Sequence, residues 1–176
     1  VCMFMIDASE GIQKQDLSIF YMIEKNSKGV VVLVNKWDLI EKDQNTMVKF
    51  EADLREQLAP FNDVPIIFTS AIEKQRIHRA LETAMRVFEN RTRKIATHEL
   101  NEVMLDIIAA TPPPAIKGKY VRIKFVTQLP THAPAFAFFC NLPQYITDAY
   151  KRFIENRLRE RFDFEGVPIK IFFRKK

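Results

Sequence analysis

A run of five apolar residues, Val30-Val31-Val32-Leu33-Val34, stops abruptly at the polar tetrapeptide Asn35-Lys36-Trp37-Asp38. This junction restricts the possible folds more than any other feature of the chain. Such a run reads as a buried strand, and the polar exit puts a loop at its carboxyl end. The pattern recurs twice: Val1 to Ile6 closes in Asp7, and Val64-Pro65-Ile66-Ile67-Phe68 closes in Thr69-Ser70-Ala71. Helical spacing fills the intervals. Residues 13–26 bring Leu17, Phe20 and Ile23 to one side, and a helix from about Asn45 carries Met47, Phe50, Leu54 and Leu58, with Pro60 beyond its end. A third helix, near 76–90, carries Ile77, Leu81, Ala84 and Phe88. Alternating strands and helices specify a parallel, doubly wound α/β sheet.

In open sheets of this kind ligands bind outside the carboxyl ends of the strands, where the Asn35–Asp38 loop falls. Asp38 can accept from the N1–H and N2–H₂ groups of a guanine together. Adenine offers no such pair of donors, and a desolvated carboxylate left unpaired rejects it. Asn35 would tie the loop together and face the O6/N7 edge, and the Lys36 stem would cover one face of the base. Trp37 belongs to the same candidate nucleotide-binding loop. Taken alone, the tetrapeptide is more simply a polar strand exit in which Asp38 opens a turn. The strand ending in Ser70-Ala71, about thirty residues later, shifts that balance. There the backbone N–H of Ala71 can donate to O6, while Ser70 braces the Asp38 loop.

The phosphate side has no counterpart. The glycines are Gly11, Gly29, Gly118 and Gly166, from which no G-x-x-x-x-G-K-[S/T] cradle can be written. No Asp-x-x-Gly segment is placed to reach a Mg²⁺ ion and γ-phosphate. Asp7-Ala8-Ser9-Glu10-Gly11 reads as a turn into the next helix, its acidic side chain near the helix start. Because the chain opens inside a strand, the expectation is a fragment running from the middle of a GTP-binding domain, with no catalytic residue of its own. Cys2 and Cys140 lie far apart, and His78, His98 and His132 are scattered, so neither a metal site nor a His-based triad is supported. The cysteines read as reduced thiols of a cytosolic protein.

Charge divides the chain in two. Residues 1–96 hold 14 Lys and Arg against 14 Asp and Glu, and residues 97–176 hold 13 against 8, so the whole net charge of +5 lies in the second half. A polyanionic partner suits that half better than a merely solvated basic face. No apolar run reaches membrane-spanning length. The boundary falls at Arg91-Thr92-Arg93-Lys94, giving domains 1–92 and 93–176. In the second domain Thr97 caps a helix striped by Leu100, Val103, Met104, Ile107 and Ile108 and stopped by Pro112-Pro113-Pro114. Two strands follow. In the first, Val121, Ile123 and Phe125 alternate, and the second runs from about Phe136 to Asn141. A helix from about Gln144 to Arg161 turns Ile146, Tyr150, Phe153 and Ile154 inward and leaves Lys151, Arg152, Arg157, Arg159 and Arg161 outside. Residues 167–174 close as a strand. The α-β-β-α-β order is an α+β module with a three-stranded sheet backed by helices on one face.

The chain resembles the carboxy-terminal portion of the Der (EngA) family of bacterial GTPases, which carry two tandem G domains and a KH-like domain. The resemblance rests on Asp7-Ala8-Ser9-Glu10-Gly11 with Gln15-Asp16, on Asn35-Lys36-Trp37-Asp38 and on Ser70-Ala71. In the second domain it rests on Leu100-Asn101, Pro112-Pro113-Pro114, Thr127-Gln128, Phe139 with Asn141, Tyr150, Leu158-Arg159-Glu160, Gly166-Val167-Pro168-Ile169 and Phe173-Arg174. The segment Ile72 to Ile77 departs from the family in lacking the glycine often found there. The resemblance implies a partial P-loop GTPase domain followed by a KH-like domain. It further implies GTP or GDP as ligand, with Mg²⁺ in the full-length protein, and a cytoplasmic role in large ribosomal subunit assembly with ribosomal RNA and a neighbouring G domain as partners. KH domains usually clamp the nucleic-acid backbone with a G-x-x-G loop, and none occurs in this chain. RNA contacts would then fall to Lys151, Arg152, Arg157 and Arg159, unless the sheet packs on a G domain instead. The alternative is a non-catalytic RNA- or protein-binding adaptor with the first domain as scaffold. The bare edge of the first strand is expected to favour self-association.

Overall fold

The computed structural model describes residues 1–41 and 43–175. It divides into two compact units, Val1–Arg91 with Glu165–Pro168, and Thr92–Phe164 with the residues from Ile169 onward.

The first unit is built on three parallel strands in the order β1 (Cys2–Asp7), β2 (Val30–Asn35) and β3 (Ile66–Phe68). The parallel register sets Asp7 opposite Asn35 and Val34 opposite Phe68, so all three strand ends converge on one edge. Helices α1 (Lys14–Lys25) and α2 (Thr46–Gln57) cover one face, where Phe20, Leu54 and Leu58 pack on Phe4, Val30, Val32 and Val34. Helix α1 starts in a reciprocal cap: Gln13 accepts from the N3 backbone, and its own N–H donates to Asp16 Oδ2 at 2.9 Å. Helix α3 (Ile77–Thr92) covers the other face over Val31, Leu33 and Ile67.

Helix α3 seats a different stripe from the expected one. Its buried residues are Ala80, Thr83, Val87 and Asn90, whereas Leu81, Met85 and Phe88 are exposed. Small side chains let the helix axis approach the sheet closely, and the bulky stripe is left beside Val1 in an open apolar groove. On β1 the residues of that face, Met3 and Met5, are 43% and 54% exposed, since nothing within the unit covers them.

A four-residue segment from late in the sequence completes the α3 side. The Gly166 carbonyl accepts from Val30 N–H at 2.8 Å, and Gly166 N–H donates to the Asp63 carbonyl at 2.8 Å. Asn90 Nδ2 donates to the Glu165 carbonyl at 3.3 Å, and Val167 joins the Val31, Leu33 and Val87 core. The expected closing strand therefore begins only at Lys170, because residues 165–168 serve the first unit.

The second unit runs α4 (Thr97–Ala110), β4 (Ile123–Gln128), β5 (Ala135–Cys140), α5 (Asp148–Arg161) and β6 (Lys170–Lys175). Strand β5 pairs antiparallel with β4 and parallel with β6, a mixed three-stranded sheet with both helices on one face. This α-β-β-α-β order is the expected one. Three local readings change. Ala96, not Thr97, occupies the cap position of α4. A 3₁₀ turn, Pro143–Tyr145, precedes α5, which starts at Asp148 under a cap in which Thr147 Oγ1 accepts from Tyr150 N–H at 3.1 Å. Strand β4 breaks register between Ile123 and Phe125, so Val126 is buried and Phe125 is 39% exposed. One extra residue in a strand moves every later side chain to the opposite face. Buried Tyr150 donates from its hydroxyl to the Thr111 carbonyl at 2.8 Å, and desolvation pushes the phenol up to about 12. No helix among the described residues is long and apolar enough to cross a membrane.

Candidate functional site

The candidate site grows out of the converging ends of β1, β2 and β3. After Asn35 the chain takes a left-handed step at Lys36, with φ at 60°. That step sends Trp37 inward, where its ring lies 4.3 Å from Phe68 and edge-on to Phe50 at 5.5 Å. Trp37 is 3% exposed. It is a core anchor beneath the loop rather than a surface for a ligand, which corrects its expected place among the nucleotide contacts. Its N–H donates to the Thr69 carbonyl at 3.1 Å, and Thr69 N–H donates to the Val34 carbonyl at 2.8 Å. The loops after β2 and β3 are thus tied through backbone.

Asn35 supplies the side-chain tie. Its Oδ1 accepts from Ala71 N–H at 3.0 Å and from Thr69 Oγ1 at 3.4 Å. The Ala71 N–H expected to face a guanine O6 is therefore given to Asn35 in this structure, because the carboxamide oxygen satisfies a donor that would otherwise stand open. Asn35 Nδ2 makes no hydrogen bond to a described residue and stays available as a donor. Ser70 is fully buried and braces its own loop rather than that of Asp38: its Oγ accepts from Glu73 N–H at 3.2 Å, and its carbonyl accepts from Gln75 N–H at 2.9 Å. In place of glycine, Lys74 and Arg76 take the left-handed conformation, with φ at 55° and 58°. Arg76 Nη1 pins that turn to the Phe68 carbonyl at 3.1 Å.

Asp38 stands in the 3₁₀ turn Trp37–Leu39, half-buried, and its carboxylate makes no hydrogen bond to a described residue. An unengaged acceptor beside an unengaged amide donor is a set that fits the N1–H/N2–H₂ and N7 edges of a guanine. Lys36 instead spans to Asp7, Nζ to Oδ2 at 2.5 Å. Asp7 also accepts from Ser9 N–H at 2.9 Å and from Ser9 Oγ at 2.6 Å. The Lys36 and Ser9 hydrogen bonds hold the Asp7 carboxyl at about 2, and the same pairing raises Lys36. Asp7, the last residue of β1, and Thr69, the first after β3, also belong to the site, and their place at the exits of the strands flanking β2 is the signal for them in the sequence. Among the described residues no group of three or more His, Cys, Asp or Glu could hold a metal ion.

The cations proposed on α5 are mostly engaged. Lys151 pairs with Asp148 at 2.9 Å and Arg157 with Glu160 at 2.5 Å. Arg159, its side chain 12% exposed, pairs with Glu155 at 3.1 Å and donates to the Phe164 carbonyl at 3.2 Å. Arg159 is thus a brace for the α5 exit, which removes it from the open basic face. Arg152 is exposed and makes no ion pair with a described residue.

Comparison with known proteins gives two family matches and a set of similar GTPases. Residues 1–109 match the family described as the elongation factor Tu GTP binding domain, and residues 94–174 match the KH-domain-like family of EngA bacterial GTPase enzymes, C-terminal. The two matches overlap on α4, which the structure places in the second unit. The chain is 58% identical over 176 residues to GTPase Der of Christiangramia forsetii, covering all of this chain and 41% of that protein. It is also 58% identical over 176 residues to GTPase Der of Flavobacterium psychrophilum, with 40% of that protein covered. GTPase Der of Porphyromonas gingivalis is 55% identical over 177 residues, again with 40% covered. The chain spans about two fifths of the length of these relatives. It belongs to the family of GTP-binding domains, in the Der (EngA) group that joins such a domain to a KH-like one, and corresponds to the C-terminal portion of those GTPases.

Proposed function

We propose that this chain supplies the guanine-reading edge and the KH-like module of a GTPase that acts in the cytoplasm in assembly of the large ribosomal subunit. The observation that carries the nucleotide part is the Asn35–Ala71 tie beside the unengaged Asp38 carboxylate. GTP hydrolysis and Mg²⁺ belong to the intact protein. Weak binding of guanine nucleotides and no GTP turnover are the expectation for this chain alone, supported by the lack of a G-x-x-x-x-G-K-[S/T] segment in its sequence. Phosphate and metal contacts contribute most of the catalysis in this chemistry. The KH-like unit is the RNA-contacting part, a role supported by its share of the net positive charge. The uncovered edge of β1, with Met3 and Met5 beside it, is where a neighbouring domain of the same protein or a second copy would pair. Light scattering above the monomer mass for the isolated chain is the expected result for the second copy.

The test of the nucleotide reading is Asp38→Asn in the intact protein. Losing a charge-assisted double acceptor weakens GTP by roughly 2–3 kcal/mol, or about 30- to 150-fold, and improves xanthosine triphosphate, whose O2 accepts where N2–H₂ donated. Unchanged GTP affinity in that variant would remove Asn35–Asp38 as the base reader.

A further inference from the structure

We infer that the KH-like unit contacts single-stranded RNA through the tract Lys117–Phe125 rather than through helix α5, an inference that rests on the RNA-contacting role proposed above. No Asp or Glu occurs between Asp106 and Asp148, while Lys117, Lys119, Arg122 and Lys124 fall within eight residues of that stretch. All four are exposed, and none makes an ion pair with a described residue. On α5, by contrast, Lys151, Arg157 and Arg159 are each neutralised by a helix neighbour at 2.5–3.1 Å, and Arg152 and Arg161 alone of its cations make no ion pair with a described residue. A cation already paired must give up its partner to meet a phosphate, whereas an unpaired one releases only the phosphate's counterions.

The tract is held in a defined shape. Lys117 and Gly118 take left-handed φ of 50° and 69°, and Ile116 and Lys119 exchange backbone hydrogen bonds of 3.2 and 2.9 Å. This is the two-residue turn with both central residues at positive φ. Beyond it Asn141 clamps the chain: its Oδ1 accepts from Arg122 N–H at 2.8 Å, its Nδ2 donates to the Tyr120 carbonyl at 3.1 Å, and its N–H donates to the Arg122 carbonyl at 3.3 Å. Tyr120 is held between the cations and is 70% exposed. Phe125, turned outward by the β4 bulge, lies at the far end, 39% exposed. An exposed aromatic ring flanked by unpaired cations suits a single strand, whose bases stack while its phosphates meet the cations. Without a G-x-x-G loop, this tract performs the backbone contact by side chains.

The experiment measures binding of the 176-residue chain to a fluorescent twelve-nucleotide single-stranded RNA across a salt series. Lys117→Ala/Lys119→Ala/Arg122→Ala is expected to lower the slope of log affinity against log salt by about 2, at about 0.7 per lost contact. Lys117→Arg/Lys119→Arg keeps the slope. Tyr120→Ala weakens binding at every salt concentration with the slope unchanged, and Tyr120→Phe restores it. Lys151→Ala/Arg157→Ala, which removes only cations already paired on α5, leaves both affinity and slope as in the parent. Binding by the parent with no response to the tract variants overturns this assignment and leaves the RNA role standing. No binding by the parent overturns both. Loss of binding to anionic phospholipid vesicles, or to a protein domain, with RNA binding unaffected, overturns RNA as the occupant.

Discussion

Lys36 Nζ reaches back from the loop after β2 to Asp7 Oδ2 at the end of β1, at 2.5 Å. The pair links two parallel strand ends, and the left-handed backbone of Lys36 makes it possible by turning Trp37 inward and the lysine out toward β1. Asp7 is held at about 2, against an ordinary 3.8. A carboxyl lowered by folding adds stability that is complete above its unfolded value and is lost as pH falls through the folded one. The unfolding free energy of the parent should therefore fall more steeply between pH 4 and pH 2 than that of Asp7→Asn. Lys36→Met should move the Asp7 titration, read by NMR, part of the way back to 3.8, with Ser9 retaining the remainder.

Trp37 carries a second expectation, because its ring is buried against Phe50 and Phe68 at the point where the Asp38 loop meets the core. Trp37→Ala should cost about 3–5 kcal/mol in urea unfolding of the first unit, the range for emptying a large aromatic site. Its fluorescence in the parent should be blue-shifted and poorly quenched by iodide. A red-shifted, fully quenchable spectrum would place the indole at the surface.

Gly166 and Gly118 share the left-handed region, with φ of 76° and 69°, but differ in their surroundings. A Cβ on Gly166 would stand 2.7 Å from Val87 Cγ2 and 2.8 Å from the Val30 carbonyl, whereas one on Gly118 meets nothing within 4 Å. Gly166→Ala should destabilise by about 2–4 kcal/mol, from backbone strain and overpacking together. Gly118→Ala should cost only the strain, about 1 kcal/mol. Comparable losses by denaturant titration would show that the 165–168 segment does not pack against Val30 and Val87.

The β4 bulge gives a contrast between neighbours. Val126→Ala removes a fully buried side chain and should cost about 2 kcal/mol or more. Phe125→Ala removes an exposed ring that touches Phe139 with centroids 6.0 Å apart, and should cost about 1 kcal/mol or less. The reverse order in thermal melts would restore the uninterrupted alternation of Val121, Ile123 and Phe125.

The sequence alone determined the parallel sheet, the α-β-β-α-β module and the loops that carry Asn35, Asp38, Ser70 and Ala71. Apolar runs of five or six residues are too short for a helix and suit strands of a parallel sheet, and their polar exits then lie at the sheet's carboxyl edge. Periodicity states which residues share a face but not which face is covered. In α3 the more apolar stripe of Leu81 and Phe88 faces outward, because close approach to β2 and β3 needed the small residues Ala80 and Thr83. A one-residue bulge is invisible to counting, yet it reversed Phe125 and Val126. Charge raises the same difficulty. The basic residues of α5 and of Lys117–Lys124 look alike in sequence, and only the positions of Asp148, Glu155 and Glu160 one helical turn from their partners decided which cations were already neutralised. Asp7 met Lys36 for the reason common to all these cases. Residues separated in the chain become neighbours only when adjacent strands pair, and that pairing is a property of the tertiary fold.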